Sequence, residues 1–187
     1  MKTMLSAVLL SLAVGCASDP KTDSEAEQMR NEVRAMEKET LQRLYKLQPE
    51  AQQTVESGYA HATFSNFGMK IFVFGSGSGE GVAVSKDPRK ETFMRMVELQ
   101  TGLGIGVKKF RHIWVFMNAD AYNKFVTEGW TFGGQATAEA KSGETGGGMA
   151  GAVSVAPGVY LFQIVDTGLA LDLTVKGTKY YKDEKLN

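Results

Sequence analysis

The chain has 187 residues, which fits one domain and is long enough to bury a core without disulfide staples. Its 21 basic and 21 acidic residues cancel, so no global field recruits nucleic acid or an anionic membrane, and an electrostatic partner must be met by a local patch. A single cysteine excludes an intrachain disulfide, while 21 glycines against 4 prolines point to many turns or close backbone approaches.

The first fifteen residues read as a leader and not as part of the fold. Met1 and Lys2 give a short basic start, and Leu5 to Val14 form an apolar run too short to span a bilayer. The run ends in Leu12-Ala13-Val14-Gly15-Cys16, which resembles a bacterial lipoprotein box, with Ala13 where leucine is usual. The expectation is a signal peptide over 1–15 and lipidation of Cys16, which leaves no thiol for catalysis or zinc. Residues 16–23 are then a short lipidated tether, and 24–187 a single domain.

Ser24 with Glu27 forms a capping box, and Met29, Val33, Met36, Leu41, Leu44 and Tyr45 recur at helical spacing to about Lys46. The opposite helix face carries both signs of charge, so this stripe is expected to pack on the domain and not on a membrane. Pro49 can open a second short helix that Gly58 closes. From Tyr59 the pattern turns to strands at Tyr59–Phe64, Met69–Phe74, Gly81–Val84, Phe93–Leu99, Leu103–Lys109 and Arg111–Met117. Asn118 or Asp120 caps one internal helix ending at Gly129. Strands follow at Trp130–Glu139, Ala150–Ala156, Val159–Val165 and Leu169–Lys176, the last alternating with period two. Lys141 to Gly148 reads as the most flexible interior loop, and Lys179 to Asn187 as a charged, frayed tail. The class is α+β, mostly β: an antiparallel barrel-like or strongly curved sheet of about nine short strands, with N-terminal helices and one internal helix.

Few constellations carry chemistry. Gly75-Ser76-Gly77-Ser78-Gly79-Glu80-Gly81 invites a phosphate-loop reading, but a strand follows it and no Gly-Lys-Ser/Thr closes it. Close backbone approach or a sharp bend explains it better, and Glu80 is either a site carboxylate or a solvated strand residue. Gly102, Gly104 and Gly106 alternate with Leu103, Ile105 and Val107, which would leave a bare stripe for a helix, an acyl chain or, as expected here, an aromatic ring of the same protein. His61 and His112 fall in different strands, without metal-ligand spacing, and no nucleophile elbow appears. No enzyme, cofactor or metal is expected. Two local basic groups stand out: Lys86, Arg89, Lys90 and Arg95, and Lys108, Lys109 and Arg111 around Phe110.

The order of motifs over residues 47–178 resembles the SYLF (Ysc84-like, lipid-binding) domain family. It runs through Glu56-Ser57-Gly58-Tyr59-Ala60 to Phe64, Lys70 before an apolar strand, and Gly77-Ser78-Gly79-Glu80-Gly81-Val82. Gly102-Leu103-Gly104-Ile105-Gly106, Phe116-Met117 and Gly129-Trp130 complete it. A tryptophan-containing turn common in the family is replaced by Asp87-Pro88-Arg89-Lys90. The resemblance implies a non-catalytic phospholipid-binding module whose bacterial members are often exported lipoproteins. The partner expected is therefore a phospholipid membrane, with no nucleic acid, and the location the bacterial envelope, anchored by Cys16 and facing the periplasm from the outer membrane. The motif does not assign lipid ligands; Lys70, Arg89, Lys90, Lys108 and Lys109 are chosen on charge. The alternative is an interaction module for another envelope protein, with lipid binding incidental.

Overall fold

The computed structural model describes residues 19–71, 74–101, 106–131, 151–170 and 177–187. The expected leader, Cys16, the loop at 141–148 and most of both the Gly102–Gly106 run and the 169–176 strand lie outside them. Two helices come first, α1 (Asp23–Leu47) and α2 (Glu50–Ser57). Four long strands follow: β1 (Ala60–Ile71), β2 (Phe74–Lys86), β3 (Arg89–Thr101) and β4 (Gly106–Phe116). The chain continues through α3 (Ala119–Glu128), β5 (Trp130–Thr131), β6 (Val153–Ala156), β7 (Val159–Val165), β8 (Gly168–Ala170) and β9 (Thr178–Lys182). The nine strands form one curled, half-barrel antiparallel sheet in the order β5-β9-β3-β2-β1-β4-β7-β6, with β8 also paired to β7. This is the mostly β, α+β class that the sequence predicts.

The short runs expected between Tyr59 and Met117 merge into fewer, longer strands. Glycines that look like breaks are strand residues whose missing side chains make room. A Cβ on Gly81 would overlap the Phe64 ring and the Thr63 carbonyl, and one on Gly79 would sit 2.9 Å from Met96 Cγ. The glycine-rich segment is thus a close-approach strand, and the ring that lies against it comes from the same chain.

Both faces of the sheet are covered, because successive side chains alternate in direction. On one face, Phe64, Trp114, Phe116 and Tyr180 are fully buried with Phe125 and Tyr122 of α3. Trp114 and Phe116 stack nearly parallel at 6.2 Å, while Trp114 and Phe125 meet tilted with centroids 5.0 Å apart and Phe64 and Tyr180 edge-on at 4.8 Å, arrangements that suit the ring quadrupoles. On the other face α1 packs Val33 against Val82, Val84 and Phe93, while Leu44 joins Ala51 and Val55 of α2 over Ile113, Val115, Phe162 and Ile164. The apolar stripe of α1 is therefore spent on the sheet.

Helix ends follow local chemistry. Thr22, not Ser24, caps α1, its hydroxyl accepting from the Glu25 amide at 3.1 Å. Asn118 caps α3, and Gly129 ends it at a φ of 77°, a conformation that favours glycine. The expected frayed tail is a correction. Residues 178–182 are β9, paired to β3 from Met94 to Glu98, and Tyr180, Asp183 and Leu186 are buried. Tyr180 alternates with Lys179 and Tyr181, so apolar and charged residues fall on opposite faces, while Asn187 donates to the Phe93 carbonyl at 2.8 Å.

Candidate functional site

Below α1, on the face that the helix only half covers, a groove of about 1060 Å³ opens over the sheet. Its floor is one transverse row set by register: Tyr181 beside Arg95, Arg95 beside Glu80, Glu80 beside Ser65, Ser65 beside Arg111 and Arg111 beside Ile164. Val33, Met36 and Arg43 of α1 form one wall, and Val97 and Lys109 extend the floor by one more row. Apolar and cationic groups thus line the same concavity, at the upper end of the size range of about 300–1,000 Å³ usual for ligand pockets.

The helix is tied over this face by polar contacts. His61 Nε2 lies 2.6 Å from Glu37 Oε1, and Arg34 Nε donates to Glu91 at 2.9 Å with its guanidinium over the Phe93 ring. Arg43 Nη2 donates to the Val165 carbonyl at 3.0 Å. Within the groove, Arg95 donates to Asp183 at 2.6 Å and to Asp19 at 3.0 Å. Arg111 Nη2 donates to Glu39 at 3.0 Å, whereas its Nη1 is buried without a hydrogen-bond partner. A guanidinium has five N–H donors, so a buried one with a single carboxylate partner has unmet capacity. Half-buried Glu80 forms no hydrogen bond or ion pair among the described residues. Burial pushes its carboxyl above the usual range; nearby Arg95 opposes this, and Asp183 and Glu32 reinforce it.

The residues chosen on charge do not form a single patch. Arg89 and Lys90 are exposed at the β2–β3 turn, where Lys90 shares a row with Ser85 and Ala60. Lys109 is exposed in the row of Phe67, seven residues further along β1, or about 23 Å at the rise of a strand. In the backbone register Lys108 pairs with Gly68 and Lys70 with Gly75 and Gly106, at the same end as Lys109. Of Arg89, Lys90 and Lys109, whose side chains are described, Lys109 lines the groove. Arg95 and Arg111 belong to the two basic groups that the sequence singles out, though not to the five residues chosen as lipid ligands, and Ser65 and Arg43 are groove residues that charge clustering did not reach. Shared strand parity of Arg95 and Arg111 was the available signal, but it needs the register to be read.

The two histidines sit on β1 and β4 and do not meet at the groove. His112 is fully buried on the α3 face, its Nδ1 2.6 Å from the Tyr180 hydroxyl oxygen. Burial pushes its pKa down to about 3, so it is neutral at ordinary pH. Among the described residues no cluster of His, Cys, Asp or Glu could hold a metal ion, and no helix is long and apolar enough to cross a membrane.

Fold and groove together define a mostly β, curled-sheet domain with a helix-walled cleft. Over 174 residues, 90% of its length, the chain is 31% identical to Beta cell expansion factor A of Aeromonas veronii. It spans 61% of that protein's length. No family model matches the chain.

Proposed function

We propose that this chain is a SYLF-type, non-catalytic phospholipid-binding lipoprotein of the bacterial envelope, and that the groove below α1 takes the anionic headgroup. The observation that carries the reading is the groove's composition: Arg43, Lys109 and Arg111 stand beside Val33, Met36 and Ile164. An amphiphile needs both kinds of contact, phosphate on cation and hydrocarbon on apolar wall. The unpartnered Nη1 of Arg111 adds a buried donor for which a phosphate oxygen is a suitable acceptor. The SYLF motifs support it by position. Gly58-Tyr59-Ala60 joins α2 to β1, Ser78, Gly79 and Glu80 of the β2 glycine segment line the groove, and Gly129-Trp130 leads out of α3.

Lipid on Cys16 would anchor the chain, each buried methylene contributing about 0.8 kcal/mol. An anchored protein does not need its domain to stay on a membrane, so headgroup binding by the domain serves recognition or transfer of lipid. Intact-mass measurement of membrane-extracted protein, with a Cys16→Ser control, tests the anchor.

Vesicle flotation of the full chain carrying Cys16→Ser, on phosphatidylglycerol and phosphatidylcholine vesicles at two salt concentrations, tests the groove. Expected is salt-sensitive binding to the anionic vesicles, weakened about tenfold by Arg111→Ala at nearly unchanged melting temperature. Absence of binding to any vesicle would overturn the reading in favour of an interaction module for another envelope protein.

A further inference from the structure

The N-terminal tether is held at one place on the domain. Asp19 accepts from Arg95 Nη2 at 3.0 Å and also pairs with Lys185 Nζ, so the chain enters the fold beside the groove floor. Cys16 is three residues upstream of Asp19, and three residues reach at most about 10 Å. Lipid on Cys16 would therefore join the chain three residues before the one that pairs with Arg95 and Lys185.

The same neighbourhood exposes apolar surface. Of the three large apolar side chains exposed among the described residues, two are Val97 at 38% and Leu99 at 67%. Both follow Arg95 on its own face of β3, about 7 and 13 Å further along the strand. The Leu99 backbone N–H donates to the Gly177 carbonyl at 3.1 Å, so its side chain is presented on hydrogen-bonded backbone. Exposed Lys179 pairs with Val97 on β9 and sets a cation beside this apolar pair. A leucine standing out of a sheet next to lysine suits the boundary between acyl chains and anionic headgroups. Arg89 and Lys90, at the opposite end of the sheet, have no exposed large apolar neighbour on β2 or β3 among the described residues.

From this geometry we propose that the domain docks on a bilayer through the Val97–Leu99 end of β3, with Lys179 among the headgroups. The groove mouth then faces the membrane and the Arg89–Lys90 turn faces away. The inference rests on the lipid-binding reading and adds the orientation.

Cys16 is the only cysteine, so the full chain with Cys16→Ser accepts single reporter cysteines. Leu99→Cys and, separately, Arg89→Cys would be labelled with an environment-sensitive fluorophore and mixed with phosphatidylglycerol vesicles. The label at 99 is expected to shift to the blue and to be shielded from an aqueous quencher, while the label at 89 stays exposed. Leu99→Asp in the same background is expected to weaken vesicle binding about tenfold or more, with Arg89→Glu within about twofold of the parent. Flotation with the label at 89 shielded, or with neither label shielded, overturns the orientation alone. Failure of the unlabelled parent to float overturns the lipid-binding reading and the orientation with it.

Discussion

The two faces of one sheet carry opposite designs. On the α3 face, Phe64, Trp114, Phe116, Phe125 and Tyr180 close over glycines in an aromatic core. On the α1 face, a row one step from the apolar floor under the helix holds Ser65, Glu80, Arg95 and Arg111. Alternation along each strand makes this possible, since neighbouring residues serve different faces. The comparison teaches how one sheet separates two tasks: the α3 face carries the aromatic packing, and the α1 face keeps a polar row beside a helix that covers it incompletely.

The sharpest way to break this division is at its apolar side. Trp114→Ala should cost about 3–5 kcal/mol, measured by chemical denaturation, because a fully buried ring leaves a cavity among Phe116, Phe125, Trp130 and Tyr180. A loss below about 1 kcal/mol would mean that the aromatic cluster does not hold the fold.

His112 gives the next largest effect, as acid sensitivity. Its folded pKa of about 3 lies below the ordinary 6.5, so the unfolded chain binds the extra proton between those values. The stability this neutral histidine contributes is complete above about pH 6.5 and is lost as pH falls towards 3, by at most about 1.4 kcal/mol per pH unit. Replacement by glutamine should flatten that part of a stability–pH profile. An unchanged slope would show that other groups carry the acid response.

Gly81→Ala should follow, at about 1–3 kcal/mol in thermal or denaturant unfolding, because the new methyl meets the Phe64 ring and a backbone carbonyl that cannot swing away. Gly168→Ala on the same sheet meets no atom within 4 Å but sits at a φ of 131°, so its cost is backbone strain without overlap. Comparing the two separates steric packing from conformation.

The smallest effect belongs to the polar row. Glu80 holds its proton more tightly folded than unfolded, chiefly through burial. Such a carboxyl favours the fold at low pH, and that contribution is lost as pH rises from the ordinary glutamate range through the raised folded value. Glu80→Gln is therefore expected to raise the melting temperature slightly at pH 7 and to leave it unchanged at pH 4. A lower melting temperature at pH 7 would mean that the ionised carboxylate is paired with Arg95 after all.

Local chemistry made much of the molecule legible in advance. Pro49 and Gly58 bracket α2, Asn118 and Gly129 bracket α3, and Val159 to Val165 is β7 as read, because caps, breakers and dense β-branched or aromatic runs act within a few residues. The helical stripe of α1 and the mostly β class follow from periodicity in the same way. The rest was decided at long range. The close approach expected at the Gly75–Gly81 segment has no partner until the fold sets Met96 against Gly79 and Phe64 against Gly81, and residues 179–182 read as tail until β3 pairs with them. The groove depends on register most of all. Ser65, Glu80, Arg95 and Arg111 are up to 46 residues apart in the chain, and they become neighbours only when four strands align to the residue. A slip of one position would turn every one of them to the other face, and side-chain packing on both faces is what forbids it.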